Sequence, residues 1–120
     1  MRSFITNAFA FVALALALKA NAQFTAFSGD ECTGSRGLDV PCDGTCDDFT
    51  GRKSFEIDAT APNIARCITV YSDNACQHPV SRWNSTGPTG SAKPGICIEV
   101  STGTPQLSFT CASNVNCPNN

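Results

Sequence analysis

The chain has 120 residues, eight cysteines, 15% charged side chains and a formal net charge of −2. That length suits one small domain rather than a multidomain enzyme. The acidic balance argues against nucleic acid as a partner, because binding phosphates needs a basic face.

Residues 1–22 read as a secretory signal peptide. Met1-Arg2 gives the positive start, residues 8–18 the apolar run, and Ala20-Asn21-Ala22 a small-x-small cleavage site, so the mature chain is expected to begin at Gln23. The apolar run is about 11 residues, short of the roughly 20 that span a bilayer, and no membrane anchor is expected. Removing Arg2 and Lys19 leaves six basic against ten acidic side chains. Residues 23–120 then form a single cysteine-rich domain.

Phe24-Thr25-Ala26-Phe27-Ser28 alternates with period two and runs into turn chemistry at Gly29-Asp30 and Thr33-Gly34, so a strand entering a tight turn is expected. Residues 35–42, with Leu38 and Val40 on one face and Pro41 at the end, predict a short partner strand. Residues 43–52, rich in Gly and Asp, predict a self-capping loop. Phe55, Ile57 and Ala59 alternate with Ser54, Glu56 and Asp58 as a strand with one wet face.

Residues 67–76 then repeat the opening 44 positions later: Thr69 matches Thr25, Tyr71 matches Phe27, Ser72 matches Ser28 and Cys76 matches Cys32. Ile98-Glu99-Val100 echoes Phe55-Glu56-Ile57 at nearly the same offset. Repeat units of about 24–60 and 67–102 follow, with a final strand at 106–111 and a polar tail. Residues 80–95, rich in Gly, Pro and Ser, predict the longest loop. No window after residue 23 carries helical apolar spacing, so the class is all-β, with helices no longer than single turns.

Eight cysteines, Cys32, Cys42, Cys46, Cys67, Cys76, Cys97, Cys111 and Cys117, predict four intramolecular disulfides in an oxidising compartment. Each bridge typically contributes roughly 2–4 kcal/mol to a domain with little core. Cys32 is expected to pair with Cys42 or Cys46, because the turn after it folds the next strand back. With only Cys42-x3-Cys46 and His78 to offer, the chain predicts no zinc site and no cofactor.

The opening of each unit resembles the Greek-key signature of βγ-crystallins: an aromatic, four positions, a second aromatic, one position, then glycine. Phe27-SGDE-Cys32-Thr33-Gly34 fits with cysteine in the second aromatic place, and Tyr71-SDNA-Cys76-Gln77-His78 has His78 where the glycine belongs. The resemblance implies a two-motif Greek-key β-sandwich, braced here by disulfides. In leader, size and cysteine density the chain is also similar to the small secreted cysteine-rich proteins of fungi. Microbial βγ-crystallins often bind calcium through an acidic pair followed by Ser/Thr-Ser. Asp47-Asp48 opens that pattern, but Gly51-Arg52 closes it wrongly, so Asp39, Asp43, Asp47 and Asp48 are expected to form a solvated loop rather than a metal site.

A histidine-based hydrolase would have to run through His78, the sole histidine, and a two-carboxylate glycosidase through Glu56 and Glu99. Neither gives a nucleophile, base and orienting group together. The expectation is a secreted, extracellular, monomeric and non-catalytic binding protein, an effector, defence or toxin-like factor, with a small hydrolase as the alternative. Its partner is expected to be an extracellular protein or a cell-wall polysaccharide. Arg82 and Trp83 in the long loop are the expected contacts, and Asn84-Ser85-Thr86 an N-glycosylation sequon.

Overall fold

The computed structural model describes residues 22–86, 90–100 and 102–118; the expected signal peptide lies outside them except for Ala22. Eight strands run in chain order: β1 (Ala22–Phe27), β2 (Val40–Pro41), β3 (Asp47–Asp48), β4 (Ser54–Ile57), β5 (Arg66–Tyr71), β6 (Pro79–Asn84), β7 (Cys97–Glu99) and β8 (Ser108–Ser113). They form two antiparallel sheets, ordered β2-β1-β4-β7 and β3-β8-β5-β6. The helical content of the described residues is one 3-10 turn, Asp30–Cys32.

The period-two pattern decides which side chains meet. In the first sheet Phe24 pairs with Ile57 and Ala26 with Phe55; in the second, Val70 pairs with Phe109 and Ile68 with Cys111. These apolar faces look at each other across one core. Phe24 stacks on Phe55 at 4.9 Å within its sheet and on Phe109 at 4.2 Å across the gap. Phe49 meets Phe109 edge-on at 5.7 Å, and Trp83 meets Phe55 edge-on at 5.3 Å.

The two units are visible in the topology. β1 and β4 are neighbours as β5 and β8 are, while β3 of the first unit lies beside β8 and β7 of the second lies beside β4. Each unit therefore lends its third strand to the other's sheet. The final strand expected at 106–111 is β8, which stands in the second sheet where β4 stands in the first.

All eight cysteines are paired. Cys32 bridges Cys97, not Cys42 or Cys46 as expected from the turn. The strand exchange is the reason: β7 arrives alongside β4 under the first hairpin. Cys76 of the second hairpin likewise reaches Cys46, just before the exchanged β3. Cys42–Cys111 ties the residue just after β2 of one sheet to β8 of the other inside the core, and Cys67–Cys117 holds the tail on β5.

Three further expectations are corrected. Residues 35–42 contribute only Val40–Pro41 to a strand, and Leu38, expected to share a strand face with Val40, lies outside the strand and is exposed. The loop 43–52 contains β3 and buries Phe49 completely. The long loop 80–95 is shorter than expected, because residues 80–84 belong to β6, of which residues 81–84 pair with β5.

Candidate functional site

Each hairpin ends on a cysteine in the left-handed region, Cys32 at φ 57° and Cys76 at φ 54°. That geometry is uncommon for a residue with a side chain, and the same device holds it twice. The Cys32 N–H donates to Ser54 Oγ at 2.9 Å, and Ser54 Oγ donates to the Gly29 carbonyl at 2.7 Å. The Cys76 N–H donates to Ser108 Oγ at 3.2 Å, and Ser108 Oγ donates to the Asp73 carbonyl at 2.5 Å. Both serines are buried, so each hairpin is folded down onto the outer face of its sheet.

The second hairpin closes with His78 where the first has Gly34, because the Asp73 carboxylate accepts the N–H groups of Ala75, Gln77 and His78 at 2.8–3.2 Å. Burial pushes the Asp73 pKa up, but those backbone donors outweigh it and hold the group below the usual carboxylate range. His78 itself is an exposed residue of this hairpin.

Glu56 and Glu99 are not matched positions of the two units: one lies on the last strand of its unit, the other on an exchanged strand. Because Glu56 pairs with Cys97 and Ser54 with Glu99, the two carboxylates are diagonal neighbours on the outer face of the first sheet. The Glu99 carboxylate is taken up by the Glu31 N–H. His78 belongs to the hairpin over the other sheet, so the three groups do not converge.

Arg82 and Trp83 sit on β6, where successive side chains point to opposite faces. Trp83 pairs with Ile68 and packs on the core, while Arg82 pairs with Thr69. Asn84, half-buried, accepts the Cys117 N–H at 2.7 Å through Oδ1, and Ser85 is fully buried with its hydroxyl on the Ile64 carbonyl at 2.8 Å. The sequon thus helps fasten the tail.

The acidic residues cap their own loops. Asp43 accepts the Thr45 N–H at 3.0 Å and Asp48 the Thr50 N–H at 2.9 Å. The Thr45 donor lowers the Asp43 pKa, the Thr50 donors lower that of Asp48, and burial followed by the nearby Asp43 charge raises that of Asp47. Among the described residues no three His, Cys, Asp or Glu side chains gather as a metal-binding group.

One surface feature escapes the sequence pattern. Leu38 is 88% exposed, the most exposed of the large hydrophobic side chains described. The loop beneath it is fixed from both ends. Arg36 makes a bridge with Phe27, the Gly37 N–H donates to the Ala26 carbonyl at 2.8 Å, and Arg52 donates to the Ser35 carbonyl at 2.8 Å. On the other side the Asp39 carboxylate accepts the Thr25 hydroxyl and, at 2.7 Å, the Arg36 guanidinium. The Thr25 hydrogen bond and then the Arg36 contacts hold the Asp39 pKa below the carboxylate range, against the opposing effect of burial. The available signal was a lone leucine between Arg36-Gly37 and Asp39, which alternation with Val40 disguised as a strand position.

Comparison with protein-family models, curated proteins and solved structures finds no match for the chain.

Proposed function

We propose that the chain is a secreted, non-catalytic recognition protein on a βγ-crystallin-like pair of Greek keys. The exchanged third strands, the folded hairpins and the serine under each support the crystallin-like reading. Four disulfides suit an oxidising, extracellular setting. Among the described residues no helix is long and apolar enough to cross a membrane.

The observation that carries the recognition reading is Leu38, an aliphatic side chain held out in water on a braced loop. A folded chain gains by burying leucine, and an anchor residue ringed by polar groups is the usual core of a binding surface. Arg36 and Asp39 supply such a ring. An aliphatic apex favours a protein partner over a polysaccharide, whose hydroxyls call for hydrogen bonds. Arg82, beside Thr69 on the second sheet, stands as a separate contact candidate.

The test is binding of the full secreted chain to extracellular proteins and to chitin, cellulose and β-1,3-glucan, with Leu38→Asp, Arg82→Ala and His78→Ala variants. The expected outcome is protein binding that Leu38→Asp abolishes. Binding confined to a polysaccharide, or hydrolytic turnover lost in His78→Ala, would overturn the reading.

A further inference from the structure

The loop beneath Leu38 has the properties of a peptide offered to an endopeptidase. Gly37, Leu38 and Asp39 follow one another outside any strand or helix, and among the described residues no hydrogen bond within the chain reaches the Leu38 N–H or C=O. A protein that binds an extended segment does so through such unused main-chain groups and takes its specificity from a pocket for one side chain. An apolar primary pocket of this kind is how a chymotrypsin-like site selects its substrates.

The flanks are fixed before any partner arrives. Gly37 lets the chain lie close to its support: a Cβ there would stand 3.1 Å from Arg52 Nη2 and 3.2 Å from the Ala26 carbonyl. Asp39 is tied to Thr25 and Arg36, and Val40 pairs with Phe24 immediately after. Cys32–Cys97 anchors the chain before the loop and Cys42–Cys111 anchors it after. A segment fixed in its bound conformation loses little freedom on binding.

We propose that residues 35–39 bind, substrate-like, in the cleft of an extracellular serine endopeptidase with an apolar primary pocket, and that Leu38 fills the pocket. This rests on the recognition reading above and names the class of its partner. The same tethers make the loop an inhibitor rather than a substrate. Were water to cleave the Leu38–Asp39 bond, leaving a carboxylate on Leu38 and an amine on Asp39, both new ends would stay anchored. The amine would remain beside the carboxylate it came from, and release of product would be blocked.

The full mature chain is titrated against chymotrypsin and subtilisin, which accept apolar side chains, and against trypsin, which needs a cationic one. The wild type is expected to inhibit chymotrypsin or subtilisin near stoichiometrically and to spare trypsin. Leu38→Asp should raise the inhibition constant roughly a hundredfold, the size expected for an interface anchor. Leu38→Arg should transfer inhibition to trypsin. Melting temperatures of both variants should match the wild type, because Leu38 has no core contact to lose.

Failure of the wild type to inhibit either apolar-pocket enzyme would overturn the proposal. So would equal inhibition by Leu38→Asp, or multiple-turnover cleavage after Leu38 seen by mass spectrometry. If inhibition is absent while Leu38-dependent binding to another extracellular protein persists, the partner class falls and the recognition reading stands. Absence of both removes both.

Discussion

Ser108 does for the second hairpin what Ser54 does for the first. Each hydroxyl accepts the N–H of a left-handed cysteine and donates to a turn carbonyl. Replacing either serine by alanine leaves that amide and that carbonyl without a partner under the hairpin. Each substitution is therefore expected to cost about 1–3 kcal/mol. In a domain of this size that is a fall of roughly 4–8 °C in melting temperature per kcal/mol, readable by calorimetry. A change under 2 °C in both variants would show that the hydroxyls do not hold the hairpins.

The four disulfides should yield to reductant in a definite order. Cys42 and Cys111 are 6% and 2% exposed, whereas Cys46 is an exposed residue. Thiol exchange requires a thiolate to reach a sulfur, so Cys46–Cys76 opens first and Cys42–Cys111 last. The buried bridge also closes 69 residues against 30 for the exposed one, and chain entropy favours the longer loop by under about 1 kcal/mol. Stepwise reduction with alkylation and peptide mapping gives the order; early alkylation of Cys111 would contradict it.

Acid should loosen the second hairpin through Asp73. Its pKa is depressed in the folded chain, so the stability it supplies is complete above the unfolded value of about 3.9 and is lost as pH falls through the lower, folded value. Asp39 and Asp48 are depressed and act in the same direction, while Asp47 is raised and opposes them. The melting temperature is expected to decline on acidification below about pH 4. Asp73→Asn should flatten that decline and lower the melting temperature at neutral pH. An unchanged acid limb in the variant would remove Asp73 from the account.

Arg66 is fully buried and donates to Gln23 Oε1 at 2.7 Å, to the Pro62 carbonyl at 2.7 Å and to the Ile64 carbonyl at 3.4 Å. Burial lowers its pKa. Its planar fork serves three acceptors that one ammonium cannot reach together. Arg66→Lys is expected to destabilise the domain by about 1–3 kcal/mol despite keeping the charge, measured by denaturant unfolding. A neutral outcome would mean that the linker carbonyls find water instead.

Trp83→Ala should lower stability by about 2–3 kcal/mol, since the indole packs edge-on against Phe55 and leaves a gap in the core. Tryptophan emission in the native chain is expected at shorter wavelength than in denaturant. A melting temperature unchanged by the substitution would return Trp83 to the surface.

Alternation along β1, β4 and β5 made the sheets readable, because period two fixes the buried face of a strand whatever its partner. The repeat at Cys32 and Cys76 was legible for the same reason: the hairpins use the same residues. The end of the repeat is harder to read. Glu56 and Glu99 look alike in sequence, yet the counterpart of Ser54-Phe55 is Ser108-Phe109, since a serine is needed under each hairpin and a phenylalanine in the core. Local reasoning paired Cys32 with its nearest neighbours and could not see β7 arriving from the other unit. Leu38 was hidden in another way, because nothing in an alternating pattern distinguishes a leucine turned inward from one held out on a tether.

The exchange of β3 and β7 sets a timetable for the chain during synthesis. β4 can pair with β1 as soon as it leaves the ribosome, but its other edge stays open until β7 emerges. During that interval Cys32 has Cys42 and Cys46 within reach and no Cys97. The nearest bonds are the wrong ones, so the native set is reached by reshuffling them or by delaying oxidation until β7 has docked.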